Sequence, residues 1–115
     1  MTRKEKFYNI INRNKKYLKN LGIVRIGIFG SLVRNEDIEN SDYDILVEFK
    51  KESKSFKNFM NLCDFIENNL TKNYDLITRD SLSPYIGSYI LKEVENVQIA
   101  SWIFKAYTRW NKIYS

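Results

Sequence analysis

Two closely spaced aspartates are the residues of this sequence best suited to chemistry. Asp42 and Asp44 stand at the entry of a predicted strand, where residues i and i+2 point to the same face. Adjacent carboxylates repel each other unless a cation lies between them, and oxygen-only ligands suit Mg²⁺ or Mn²⁺. The pair predicts a divalent-metal site, although Asp-x-Asp alone is equally typical of a polar turn before a strand.

A third carboxylate lies in a later predicted strand. Asp75 interrupts an otherwise apolar stretch, with Leu76 and Ile77 after it. If this strand lies beside that of Asp42 and Asp44, the three carboxylates can hold two metal ions, which suit an in-line displacement. Asp75 would then help to deprotonate an acceptor. The alternative is an aspartate at a strand edge that faces water.

A glycine-serine pair follows the apolar stretch 23–29. Gly30 permits a tight turn and a close approach of phosphate, and a helix that starts at Ser31 offers backbone N–H groups to an anion. Arg34 falls about one turn later and could reach the same anion. No Gly-Lys-Ser or Gly-Lys-Thr follows, so this is not a Walker P-loop. Alone, the pair is also typical of a turn with a serine cap; with three carboxylates it predicts phosphoryl-type transfer.

The elements that must position these residues follow from apolar periodicity. It predicts strands at 23–29, 43–49 and 73–78, helices at 3–20, 31–35, 55–70 and 85–93, a loop at 35–41, and one helical face within 99–113. Helices alternating with strands favour an α+β or α/β-like domain around a small sheet. The same periodicity places Phe56, Met60, Ile86 and Leu91 among the inward-facing residues.

Composition narrows the classes of function. At 115 residues the chain is most simply one domain, and the absence of histidine excludes Ser-His-Asp catalysis and His-ligated zinc. The net charge of +5 is compatible with a polyanionic ligand or an acidic partner. Cys63, the single cysteine, fits core packing in a helix. Since neither a signal peptide nor a membrane span is recognisable, we expect a cytoplasmic protein.

The motifs together resemble a known signature. The stretches 30–34 and 41–47 look like those of DNA polymerase β-like nucleotidyltransferases, and the chain is similar to the minimal nucleotidyltransferase (MNT) family within that superfamily. Asp75-Leu76 matches that family's later strand aspartate, and the stretches 81–84 and 90–94 are similar too. The resemblance covers residues 5–97. Asn35 stands where family members often have glycine, which concerns the path of the loop rather than the metal site.

The resemblance implies a small mixed sheet flanked by helices, with residues 1–97 as the nucleotidyltransferase domain and 98–115 as a helical or irregular extension. By this resemblance, the residues that would bind the triphosphate of ATP are Gly30, Ser31 and Arg34. By the same resemblance, the catalytic residues, which would bind two Mg²⁺ or Mn²⁺ ions, are Asp42, Asp44 and Asp75. Many MNT proteins are antitoxins of a HEPN-domain RNase toxin, and some transfer AMP from ATP to a toxin tyrosine.

Other functions remain open at this point. The chain could be an antitoxin that neutralises by contact with a vestigial site, or a nucleotidyltransferase acting on a small molecule or RNA. It could also bind nucleic acid through its first helix, whose basic residues are Arg3, Lys4, Lys6, Arg13, Lys15, Lys16 and Lys19. The three aspartates favour an enzyme. We expect no second domain that could hold a large acceptor, so either the acceptor is small or a partner protein brings it; the second option fits an antitoxin.

Overall fold

The computed structural model describes residues 1–36 and 42–100. Its elements are α1 (Arg3–Arg13), α2 (Lys15–Asn20), β1 (Ile23–Phe29), β2 (Tyr43–Phe49), α3 (Phe56–Asn69), β3 (Tyr74–Thr78), α4 (Pro84–Glu93) and β4 (Glu95–Gln98). Single turns of 3-10 helix lie at Gly30–Leu32, Lys51–Ser53 and Arg79–Ser81. This order confirms the predicted α+β class.

The four strands form one mixed sheet in the order β3-β2-β1-β4. β1 pairs antiparallel with both β2 and β4, whereas β2 and β3 are parallel. A parallel pair needs a crossover connection, and α3 provides it. The parallel pairing brings the starts of β2 and β3 to the same edge of the sheet, where Asp44 and Asp75 lie.

One face of the sheet carries the hydrophobic core. Fully buried side chains from α1, α2, α3, β1 and β2 form this core, among them Phe7, Ile11, Leu18, Ile26, Ile28, Ile45, Val47, Leu62 and Ile66. Since strand side chains alternate, Asp44, Leu46 and Glu48 point to the opposite face, which we call the polar face. Cys63 is also buried, as its predicted role in core packing requires.

The predicted helix 3–20 is wrong in one respect, because it is divided at Asn14. Asn14 adopts φ −116° and ψ 22°, and its side-chain amide donates a hydrogen bond of 2.8 Å to the carbonyl of Ile10. An asparagine side chain competes in this way with helical backbone bonds. Gly22 follows α2 with φ 82°, and its N–H donates to the carbonyl of Lys19, so this glycine helps to end the helix.

Two predicted apolar faces are also wrong in part. Phe56 and Met60 of α3 are 80% and 40% exposed, and Ile86 and Leu91 of α4 are 63% and 42% exposed. Phe56 opens the first turn of α3, beyond the rim of the core. α4 buries only Gly87, which lies against Leu82, so a thin contact replaces the broad apolar face that periodicity predicts.

β4 has no counterpart among the predicted strands. It adds the second edge of the sheet, and beyond it the N–H groups of Ile99 and Ala100 both donate to the carbonyl of Val24. Residues 101–115, which hold most of the predicted helical face at 99–113, and residues 37–41 of the predicted loop lie outside the described residues. The domain boundary at 97 stays a prediction. Within the described ranges, no helix is long and apolar enough to cross a membrane.

Candidate active site

The parallel register of β2 and β3 places Asp44 directly beside Asp75. Directly paired residues of neighbouring strands point to the same face, so both side chains lie on the polar face. Asp42 precedes β2 by one residue; it and Asp75 are exposed, whereas Asp44 is half-buried. The structure therefore brings the three aspartates singled out in the sequence close together, at an exposed end of the two strands.

The electrostatics of Asp44 show how closely these charges interact. Burial raises the pKa of Asp44 above its ordinary value, and the negative charges of Asp75, Asp42 and Glu93 raise it further. The guanidinium of Arg34 acts in the opposite direction. One cation therefore faces several carboxylates, a balance that a bound divalent cation would correct.

The aspartates do not form a closed coordination shell. Within residues 1–36 and 42–100, no group of three or more His, Cys, Asp or Glu side chains is arranged closely enough to hold an ion. Mutual repulsion opposes the convergence of three carboxylates, and a divalent cation would offset it. The donor set itself, carboxylate oxygens on adjacent strands, fits Mg²⁺ or Mn²⁺.

Gly30 connects β1 to the candidate phosphate site. It has φ 76°, a left-handed conformation that favours glycine, and a side chain at this position would collide with the carboxylate of Asp44. The predicted helix at 31–35 is instead a 3-10 turn at Gly30–Leu32, in which the N–H of Val33 donates to the carbonyl of Gly30. Glycine at position 30 thus lets a turn start in direct contact with Asp44.

Asn35 stands at a position where members of the family often have glycine. Its φ is 57°, the left-handed region that glycine adopts freely and that asparagine tolerates better than other residues. The next residue, Glu36, donates its N–H to the carbonyl of Ser31 at 2.9 Å, which closes the turn. The turn thus keeps a glycine-like conformation with asparagine in place of glycine.

Arg34 extends from this turn towards two carboxylates. Its Nη1 lies 2.7 Å from Glu93 Oε2, and its Nε lies 3.1 Å from Glu36 Oε2. The side chain is 48% exposed. The positive charge of Arg34 also acts to lower the pKa of Asp44. The role of Arg34 at the phosphates stays a prediction, and its two carboxylate partners were not predicted from the sequence.

Glu93 is the site residue that sequence reasoning missed. Its Oε1 accepts a hydrogen bond from the N–H of Gly30, and its Oε2 accepts one from Arg34. It is the last residue of α4, within a stretch that the family resemblance included without giving it a role. A usable signal was an acidic side chain at a helix C-terminus, where the helix dipole disfavours negative charge.

A cavity of about 240 Å³ lies further along the polar face. It is lined by Arg25, Leu46, Glu48, Arg79, Leu91, Val94 and Asn96. Glu48 lies 3.2 Å from Arg79 Nε and 3.7 Å from Arg25 Nη2, so the charged part of the lining is largely paired within itself. Leu46 follows Asp44 by two residues on the same face, which places the cavity next to the aspartates.

Proteins that are similar to this chain in sequence point to one family. Residues 9–97 match the family model of the nucleotidyltransferase domain. The protein adenylyltransferase MntA of Thermococcus cleftensis is 40% identical over 91 residues, which are 78% of this chain and 91% of that protein. The protein MJ1215 of Methanocaldococcus jannaschii is 45% identical over 74 residues, 64% of this chain and 85% of that protein.

Solved structures show the same fold. A structure described as a minimal nucleotidyltransferase superposes with a TM-score of 0.62 at 25% identity, over 76% of this chain and 92% of that one. A toxin–antitoxin structure with AMP-PNP gives a TM-score of 0.52 at 16% identity, over 96% and 86% of the two chains, and this likeness concerns the fold alone. The resemblance drawn from the motifs is confirmed: this chain belongs to the nucleotidyltransferase domain family and is a minimal nucleotidyltransferase.

Proposed function

We propose that this enzyme transfers AMP from ATP to a tyrosine hydroxyl of a cognate HEPN-type toxin and so acts as an antitoxin in the cytoplasm. The observation that carries the proposal is the pairing of Asp44 with Asp75 beside the Gly30 turn. Its support from relatives is the name of the Thermococcus protein, a protein adenylyltransferase. The toxin–antitoxin structure with AMP-PNP has the same fold.

The residues of the turn and of the two strands would divide the substrate between them. Gly30, Ser31 and Arg34 would hold the triphosphate through backbone N–H groups and a guanidinium. Asp42 and Asp44 offer the oxygen donors that two Mg²⁺ or Mn²⁺ ions prefer. When bound, such ions neutralise phosphate charge and orient the reacting oxygens.

The transfer is an in-line displacement at the α-phosphorus. The oxygen of the acceptor hydroxyl forms a bond to the α-phosphorus, and the bond from that phosphorus to the oxygen bridging to the β-phosphorus breaks. Pyrophosphate leaves with this electron pair, and the hydroxyl proton passes to Asp75, which is exposed and can release it to water. The chain's own contribution is chiefly to position the two substrates.

The exposure of the site favours a partner-borne acceptor. Asp42 and Asp75 both face solvent, so a protein surface can present a hydroxyl to them. The aspartates lie at the edge of the sheet rather than in a closed pocket. Docking of the partner should therefore control the rate of transfer.

The direct test combines the chain with the protein encoded by the neighbouring gene, α-labelled ATP and Mg²⁺. Mass spectrometry then locates the label. We expect an AMP-sized adduct on a tyrosine of the partner, which is lost with Asp44→Asn and kept with Asp64→Asn, a matched change on the exposed side of α3.

Other results would assign a different function. A tight complex without an adduct would favour an antitoxin that neutralises by contact. Label on RNA or on a small molecule would keep the transferase but replace its acceptor. Salt-sensitive binding of RNA that needs neither metal nor nucleotide would favour a nucleic-acid-binding domain.

A further inference from the structure

The groups assigned to the triphosphate are already engaged by one side chain. Glu93 directs one carboxylate oxygen at the N–H of Gly30 and the other at Nη1 of Arg34, the latter at 2.7 Å. A carboxylate and a phosphate use the same donors in the same way, through charge-assisted hydrogen bonds. The two anions cannot occupy this position together.

The backbone fixes Glu93 in this place. β1 and β4 pair antiparallel, with Arg25 opposite Gln98 and Ile28 opposite Glu95. Gly30 directly follows β1 and Glu93 precedes β4 by two residues, so the pairing of these strands brings the end of α4 near the Gly30 turn. The pairing of β1 with β4 thus holds the backbone of Glu93 close to Gly30, and the half-buried side chain completes the contact.

Apart from these two contacts, the position of Glu93 is electrostatically unfavourable. It is the last residue of α4, where the helix dipole favours a cation over an anion. It also adds negative charge near Asp44, which already interacts with Asp42 and Asp75. The contacts with Gly30 and Arg34 offset these costs, so Glu93 is held in place by the groups that a triphosphate would use.

We propose that Glu93 determines the affinity of the nucleotide site: its carboxylate occupies the triphosphate position in the nucleotide-free chain and leaves when the triphosphate enters. The inference rests on the proposed function for the identity of that site. A ligand that binds only the minor, open form has its affinity reduced by the fraction of open molecules. If the carboxylate of Glu93 occupies the site in about nine molecules in ten, its removal raises the affinity for the triphosphate about tenfold.

The test compares wild type with Glu93→Gln, which keeps the size of the side chain and removes its charge. Calorimetric titration with ATP and with inorganic tripolyphosphate, both in Mg²⁺, should show dissociation constants about fivefold to tenfold lower in the variant. AMP, which lacks the β- and γ-phosphates, should bind both proteins equally. Glu93→Asp keeps the charge but is too short to reach Gly30 and Arg34 together, so it should also bind tripolyphosphate more tightly.

The control is Glu52→Gln, which makes the same change in net charge beyond the far end of β2 and should leave all three affinities unchanged. Equal or weaker binding of tripolyphosphate by both Glu93 variants would overturn the inference and would indicate that Glu93 serves to position Arg34. So would an equal gain for AMP. Tighter polyphosphate binding with no adduct on any partner would leave this inference standing and reject the proposed acceptor instead.

Discussion

Asp44 is the residue at which burial and charge act together. Its pKa is raised by burial and by neighbouring carboxylates. A group with a raised pKa in the folded state adds stability below its unfolded pKa and loses that contribution as the pH rises through the folded pKa. The ionised form of Asp44 therefore opposes folding, a cost that the divalent cation of the proposed site would offset.

Replacement of Asp44 should separate activity from stability. We expect Asp44→Asn to lower transfer by more than the roughly 10–100-fold that loss of an outer-shell partner costs at a metal site. Its melting temperature at pH 7 should equal or exceed that of wild type. Ser31→Ala should lower transfer less, because backbone N–H groups remain to hold phosphate. Rate assays and thermal unfolding measure both quantities; a clear loss of stability in Asp44→Asn would identify this residue as structural.

The same residues predict that nucleotide binding and transfer depend on a divalent metal ion. Because Asp42 and Asp44 offer only oxygen donors, ATP should bind productively with Mg²⁺ or Mn²⁺ and lose both tight binding and transfer in EDTA. Calorimetry of ATP binding, with and without the ion, measures this directly. Equal affinity and equal transfer in EDTA would reject the two-metal site.

At the scale of elements, strands were predictable and helix faces less so. β1 and β2 have the predicted bounds, since runs such as Ile23–Phe29 are β-branched and bounded by polar or glycine residues. The apolar face of α4 was wrong because periodicity does not tell how much of a helix the sheet covers. β4 was missed because its four residues, E-N-V-Q, contain one apolar side chain.

The residues of the candidate site were likewise predictable from the sequence only in part. The pair Asp42 and Asp44 could be read from spacing within one strand, and Gly30 from the end of a strand. The proximity of Asp75 depended on the order of strands, and spacing alone could state it only as a condition. Glu93 was missed because the sequence pattern did not predict β4, whose pairing with β1 brings the end of α4 near Gly30.

The left-handed conformation of Asn35 predicts how substitutions there affect the stability of the turn that follows β1. Since Asn35 has φ 57°, Asn35→Gly should keep both the fold and ATP affinity. Asn35→Val should cost about 1–2 kcal/mol in unfolding free energy, because a β-branched residue is strained in this region. Chemical denaturation measures the difference between the two variants. Equal stability would show that the turn relaxes at no cost.

At the scale of the whole molecule, one carboxylate joins the start of the chain to its last described strand. Glu95 of β4 accepts hydrogen bonds from Lys4, at 2.9 Å, and from the hydroxyl of Tyr8. The bond from Tyr8, followed by that from Lys4, holds the pKa of Glu95 below its usual range. This carboxylate therefore ties α1 to the edge of the sheet.

The sign of this shift gives a pH prediction. A lowered pKa adds stability above the unfolded value of 4.5, and this contribution is lost as the pH falls through the folded pKa. Glu95→Gln should be less stable than wild type at pH 7 by under about 1 kcal/mol, since the pair is partly screened by solvent. The gap should narrow below pH 4.5. Urea unfolding at several pH values measures it, with Glu52→Gln as control; a gap that grows in acid would contradict the assignment.

The register of β4 also sets the order in which the molecule can be completed during folding. Gly30 and Glu93 are 63 positions apart in the chain, whereas Phe29 and Asp44 are paired across one short connection. Closing the longer loop costs more entropy, so contacts of this span form late. We therefore expect the aspartates of β2 to be assembled before β4 brings Glu93 to Gly30, so that the Gly30 turn forms before Glu93 closes it.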